Sequence, residues 1–125
     1  MDFSVKLLVL FCMMFCHVVD DYYLQGILAK MKQQNWWKEN APDKMYEHDY
    51  IVALFVHAFS WSFMISIPVF FVNKDYVSIC FMVVMNMFIH AFIDDLKANQ
   101  RQINLIQDQV VHFFQILLTW VMFVM

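Results

Sequence analysis

Residues 76–96, YVSICFMVVMNMFIHAFIDDL, are apolar enough and long enough to cross a bilayer, whose hydrocarbon core of about 30 Å needs roughly 20 such residues in a helix. The run nevertheless carries Asn86, His90 and Asp94 at intervals of four, which stacks them on one helical face. A membrane-crossing helix with a polar stripe needs polar neighbours to cover that stripe. The rest of the chain supplies them. Three further apolar segments, about 3–29, 48–72 and 103–125, flank this one, with a polar connection at 31–47 and a short AsnLysAsp link at 73–75. The predicted fold is an all-α membrane protein, an antiparallel four-helix transmembrane bundle forming a single transmembrane domain over 1–125.

Composition agrees. Of 125 residues, 62% are hydrophobic and 15% charged, where a soluble domain has about 25% charged. One Gly and two Pro exclude collagen-like and turn-rich β architectures. A net charge of -3 with dispersed Lys and Arg leaves no basic stripe, so the lipid bilayer and not nucleic acid is the expected partner. The first segment follows Lys6 but has no small-x-small cleavage site, so it reads as a spanning helix instead of a signal peptide. Cys12, Cys16 and Cys80 form no Cys-x-x-Cys pair and read as small buried core residues. Small residues spaced by four look nearly absent, which argues against tight helix dimerisation.

Within 31–47, Trp36, Trp37 and Tyr46 suit the headgroup level, and AlaProAsp at 41–43 can restart a helix. Pro68, inside the second span, predicts a kink. Lys30, Lys32, Lys38, Lys44, Lys97 and Arg101 fall on one side of the membrane, against Lys6 and Lys74 on the other. The richer side is expected to be cytoplasmic, with the 31–47 and 97–102 connections there and both termini outside.

Ionisable residues inside a span cost about 2.5–3.5 kcal/mol each on insertion scales and mark function by default. The first span places His17, Asp21 and Gln25 four apart; the second has His57, near Ser60 and Trp61; the fourth has Asp108 and His112, with Gln115 and Thr119 extending the face. His17, Asp21, His57, His90, Asp94, Asp108 and His112 lie in the halves of their spans nearest the lysine-rich side, within roughly 5–20 Å of the helix ends at 1.5 Å per residue. An antiparallel bundle therefore brings them to one depth. His48, Asp20 and Asp95 fall off the stripes and read as solvated interface residues.

Imidazole and carboxylate are the usual ligands of zinc, manganese and iron. Four His and three Asp exceed what one tetrahedral ion takes. Either two ions about 3.5–4 Å apart share them, or one ion does, with the surplus carboxylates orienting the ligating His. Candidate metal ligands are His17, Asp21, His57, His90, Asp94, Asp108 and His112. Asp21, Asp94 or Asp108 is the candidate general base, and Gln25, Asn86 and Gln109 are candidates to orient water or substrate.

The runs HVVDDYYLQGILAKMK, VHAF, NMFIHAFIDDLK and DQVVHFF together resemble a family of small phage and bacterial integral membrane proteins catalogued as domain of unknown function 3307. The shared pattern falls on His17, Asp21 and Gln25; His57; Asn86, His90 and Asp94; and Asp108, Gln109 and His112. The resemblance covers nearly the whole chain and implies a bacterial inner-membrane setting, but no substrate. A looser likeness in style to membrane-bound metal-dependent hydrolases is an analogy of type. Three functions fit the residues. The first is a metal-dependent hydrolase acting on a phosphate or carboxylic ester such as a lipid headgroup. The others are an ion or proton transporter, and a non-catalytic phage membrane accessory protein whose polar cluster holds the helices together.

Overall fold

The structure, a computed structural model describing residues 1–125, is helical throughout and has no strand. Its elements are α1 (Phe3–Val19), extended by a π-helical turn over Asp20–Leu24; α2 (Leu28–Met31); α3 (Gln34–Asn40); a 3₁₀ turn at Lys44–Tyr46; α4 (Asp49–Val72); α5 (Tyr76–Ala98); and α6 (Leu105–Phe123). Four stretches are long and apolar enough to cross a membrane: Phe3–Leu24, Lys44–Val72, Tyr76–Ala98 and Leu105–Phe123.

Local chemistry sets the helix ends. Asn104 and Gln107 form a reciprocal capping box at the start of α6. Asp75 accepts from the Ser78 N–H to cap α5, and Asp2 accepts from the Phe3 N–H to cap α1. Both caps lie outside the long helices. Hydrogen bonds from the Ser78 hydroxyl and N–H to Asp75, and from the Ser4 hydroxyl and Phe3 N–H to Asp2, hold both carboxyls below the ordinary range.

The first apolar segment ends sooner than its hydropathy predicts. Gly26 adopts φ +55, a left-handed conformation that Gly takes without the usual Cβ penalty. The chain therefore leaves the helical path after Leu24, and 25–29 is not part of the first long helix. The 31–47 connection holds α3 and the 3₁₀ turn, with Asp43 accepting from the Met45 N–H. Trp37 stacks on Tyr46, packs edge-on against Trp36 and donates to the Met31 carbonyl. Lys97 and Ala98 belong to α5 instead of the hinge that follows it. Pro68 sits in an unbroken α4.

The interior has two ends of different character. One is apolar, built from Met13, Trp61, Ile65, Val69, Ile79 and Ile116 among others. Cross-links close it: the Lys6 ammonium donates to the Met125 carbonyl at 2.8 Å, Trp120 Nε1 to the Lys6 carbonyl at 2.7 Å, and Asn73 Nδ2 to the Phe123 carbonyl at 3.0 Å. The other end is polar. Outside, large apolar side chains such as Phe15, Phe81, Phe88 and Phe114 are exposed, the reverse of a soluble protein and the pattern that lipid contact favours.

Two expectations about small residues fail. Cys12 and Cys80 are exposed and Cys16 is only partly covered, because they occupy the outward face of their helices opposite the polar stripe. Small residues do recur at intervals of four: Ala58, Ser62 and Ser66 are fully buried in α4. There they allow close approach of α5, and the Ser62 hydroxyl donates to the Val83 carbonyl at 2.5 Å. This stripe is used within the chain.

Candidate metal centre

α1 enters the site at its C-terminal end, where a π-helical turn spans Asp20–Leu24. Asp20 and Asp21, three and four residues after His17, share its helical face, and both reach the cluster. Asp20, expected to be solvated, is 1% exposed; its Oδ1 accepts from the Ser60 hydroxyl at 2.5 Å, and its Oδ2 lies 3.7 Å from His57 Nδ1. Its three-residue spacing from His17 was the available sign of a shared face. π-bulges of this kind recur at functional sites.

His57 from α4 and His90 from α5 meet with their Nε2 atoms 3.2 Å apart. Asp21 Oδ1 lies 3.3 Å from His57 Nε2 and 4.0 Å from His90 Nε2. Tetrahedral ligands about 2.0–2.2 Å from a zinc ion stand about 3.3–3.6 Å from one another. These three donors are therefore spaced to hold one ion with little movement. Asp94 Oδ2 lies 3.4 Å from His57 Nε2 and 3.8 Å from His90 Nε2 and also takes the Lys32 ammonium at 2.5 Å.

A second donor group joins His90, Asp94 and His112. His112 Nε2 lies 3.5 Å from Asp94 Oδ1 and 3.3 Å from Asp108 Oδ1. His90 is common to both groups, and one imidazole nitrogen serves one ion. Asp94, with an oxygen towards each group, is placed where a carboxylate would bridge two.

His17 lies apart from both groups. Its Nδ1 faces Trp61 Nε1 at 2.7 Å. Indole only donates, so that nitrogen is the acceptor, and the other, Nε2, donates to Gln109 Oε1 at 3.1 Å. Both ring nitrogens are engaged. Trp61 also stacks on His90, which stacks on His112, with ring centres 4.2 and 4.1 Å apart. Of the polar candidates, Gln25 donates to the Asp21 carbonyl at 3.0 Å, and Gln109 also donates to Asp108 Oδ2 at 3.1 Å. Asn86 is a turn away from His90, bonded to Thr119 and Gln115.

Lys32, read from the sequence as a rim charge, is 5% exposed. The Asn99 side chain positions it, donating to the Lys32 carbonyl at 3.1 Å and accepting from the Gln34 N–H at 2.8 Å. No sequence pattern marks this contact, since it depends on the turn at Gly26. Lys97 pairs with Asp108 Oδ2 at 2.5 Å and reaches within 3.9 Å of Asp94 Oδ1.

Charge and hydrogen bonding agree on what these residues fit. Asp20, Asp21, Asp94 and Asp108 face only Lys32 and Lys97 as fixed cations. The cluster gathers four carboxylates, two lysine ammonium groups and three imidazoles in a poorly solvated interior, where charged groups must be paired or coordinated. Asp21 Oδ1, Asp108 Oδ1 and His112 Nε2, all turned towards the cluster, are buried without a hydrogen-bond partner. Asp21 Oδ2 also sits 3.4 Å from the accepting His17 Nδ1. A divalent cation in the first group would take Asp21 Oδ1 and offset part of the carboxylate charge, while Asp108 Oδ1 and His112 Nε2 face each other at 3.3 Å. A polar cavity of about 80 Å³ leads outward from the cluster, lined by Asp21, Gln25, Lys32, Asp94, Lys97 and Gln109 among others.

No curated protein and no solved structure matches the chain significantly. Residues 9–125 do match a family, and that span holds every side chain of the cluster. The chain belongs to the family described as Protein of unknown function (DUF3307).

Proposed function

We propose that this protein is a membrane-embedded, metal-dependent hydrolase. The four long helices form an antiparallel transmembrane bundle, and the polar end opens to the cytoplasm. The observation that carries the metal reading is the donor set Asp21, His57 and His90, spaced 3.2, 3.3 and 4.0 Å in a cluster of four carboxylates. Zinc, manganese or iron suits such donors, as one ion or as a pair bridged by Asp94.

A bound divalent ion polarises an ester oxygen and makes a nearby water more acidic. The protein residues supply the rest. Asp20, held by the Ser60 hydroxyl, places a carboxylate 3.7 Å behind His57 Nδ1 and so favours a positive charge at that imidazole. Asp108 or Asp94 accepts a proton from the attacking water as its oxygen bonds to the phosphorus or carbonyl carbon. The bond to the leaving oxygen breaks, and that oxygen receives the proton. Gln25 and Gln109, at the cavity, orient water or substrate. A phosphate or carboxylic ester, including a lipid headgroup, is the substrate class.

Elemental analysis of detergent-purified protein tests the metal. About one or two equivalents of a transition metal are expected, falling in His57→Ala and His90→Ala; no metal in protein purified or reconstituted with zinc, manganese or iron rules the reading out. The orientation is tested with Lys38→Cys after Cys12, Cys16 and Cys80 are replaced. Labelling of that residue only from outside would reverse the assignment.

A proton or ion relay is the second reading. It is favoured by the polar contacts beyond the cluster, where Gln115 donates to Asn86, Asn86 to Thr119, and Ser66 to the Ser62 carbonyl. Metal-independent proton or ion flux in liposomes would favour it over hydrolysis.

A further inference from the structure

The cavity at the cluster's mouth has a composition that the metal alone does not explain. Two lysines border the same 80 Å³ space with the Gln25 and Gln109 side chains, and Asp21 and Asp94 line its inner side. Both ammonium groups are engaged: Lys32 Nζ is 2.5 Å from Asp94 Oδ2, and Lys97 Nζ is 2.5 Å from Asp108 Oδ2. The same two carboxylates face the imidazoles, Asp94 towards His57 and Asp108 towards His112. Lys32 and His57 face the same oxygen of Asp94, Oδ2, whereas Lys97 and His112 take different oxygens of Asp108. A metal held by Asp94 Oδ2 would displace the Lys32 ammonium, which borders the cavity.

We propose that the cavity between Lys32 and Lys97 is a phosphoryl-binding subsite, taking the oxyanion of a phosphate ester beside the metal. The subsite rests on the metal reading above and narrows its substrate class. Two ammonium groups act as movable point charges of the kind that bind phosphate, and the Gln25 and Gln109 amides are able to donate to further oxygens. The space suits a phosphoryl group with the remainder of the molecule outside. Tyr22 and Leu105 line the same cavity and are both more than half exposed. They offer apolar contact to whatever the phosphoryl group is attached to, a diacylglycerol or a smaller alcohol.

The test uses the full chain in detergent, loaded with zinc and assayed for zinc content before any ligand is added. Inorganic phosphate is then titrated calorimetrically, and mixed micelles containing phosphatidic acid are compared with micelles containing only phosphatidylcholine. Binding is expected in at least one arm and not without zinc. Saturable binding of free phosphate identifies a soluble ester as a sufficient source, and binding confined to phosphatidic acid identifies a lipid. Lys32→Gln and Lys97→Gln should each weaken binding by about tenfold or more, the scale of one hydrogen bond to a charged group, with zinc retained. Exposed Lys30→Gln is the control and should leave binding unchanged. If Lys32→Gln does not fold, Lys32→Arg replaces it and should still bind. Stoichiometric zinc with no binding in either arm, or with binding indifferent to both lysines, overturns the subsite and leaves the metal reading standing. Failure to hold zinc overturns both.

Discussion

Asp94→Asn is the most informative single change, because Asp94 touches both kinds of cation the site has to satisfy. In the native protein its Oδ2 holds the Lys32 ammonium at 2.5 Å, and the two side chains are 2% and 7% exposed. Asparagine keeps the shape but removes the charge, leaving an ammonium buried without a counter-ion. Breaking a buried pair in this way costs about 3–5 kcal/mol. For a chain of this length the loss corresponds to roughly 10–20 °C in Tm, measured by thermal unfolding of metal-free protein in detergent. Lys32→Met alone leaves a carboxylate in excess and should also destabilise. The double variant Asp94→Asn/Lys32→Met removes both charges and should recover most of the loss, since an apolar replacement for a buried pair is often neutral. Zinc binding should separate the two roles of Asp94. Lys32→Met keeps every proposed ligand and should retain zinc, whereas the double variant, though stable, should bind it at least tenfold more weakly. Strictly additive losses would show that the pair is not coupled. Native zinc affinity in the double variant would remove Asp94 from the ligand set.

Three further outcomes follow from other parts of the molecule. Ser60→Ala should cost about 1–3 kcal/mol in thermal stability, because it leaves the buried Asp20 Oδ1 without its donor; an unchanged Tm would deny that contact a role. Gly26→Ala should cost about 1–2 kcal/mol in thermal stability from the left-handed backbone alone, because an added Cβ would meet nothing nearer than the Leu24 carbonyl at 3.9 Å. The Asp75 cap gives a pH dependence: its carboxyl is held below the ordinary value, so its contribution is complete above about pH 4 and is lost as pH falls through the lowered value. The stability difference between wild type and Asp75→Ala should therefore narrow on acidification, and a difference that widened would contradict the sign.

The polar stripe of α5 was legible from spacing alone: Asn86, His90 and Asp94 stand four apart and all are buried, as a regular helix requires. The same rule applied to α1 found Asp21 but, stepping only in fours from His17, passed over Asp20 at a spacing of three. Equal depth of His57, His90, Asp94, Asp108 and His112 was readable from residue counts along successive spans. Whether each side chain reached a ligand position was not. His17 has the right depth and face, yet a tryptophan N–H from another helix occupies its nitrogen. Lys32 was hidden for a different reason, since its approach to Asp94 follows from a left-handed glycine and an asparagine 67 residues away.

The π-helical turn at Asp20–Leu24 has a consequence for how this chain tolerates change. One residue of extra winding shifts the rotational phase of everything after it by about 100° relative to what precedes it. The helix up to the inward carboxylates at Asp20 and Asp21, with Leu8, Phe11 and Phe15 on its outward face, and the chain from Gln25 onward are thereby set independently. Substitutions on the outer face leave the carboxylates where they are. Loss of a single residue between Asp21 and Leu24 would restore a regular helix and rotate Gln25 and the chain leading to Lys32 by about 100° relative to the carboxylates. Length in this turn is therefore constrained more tightly than the identity of the residues that compose it.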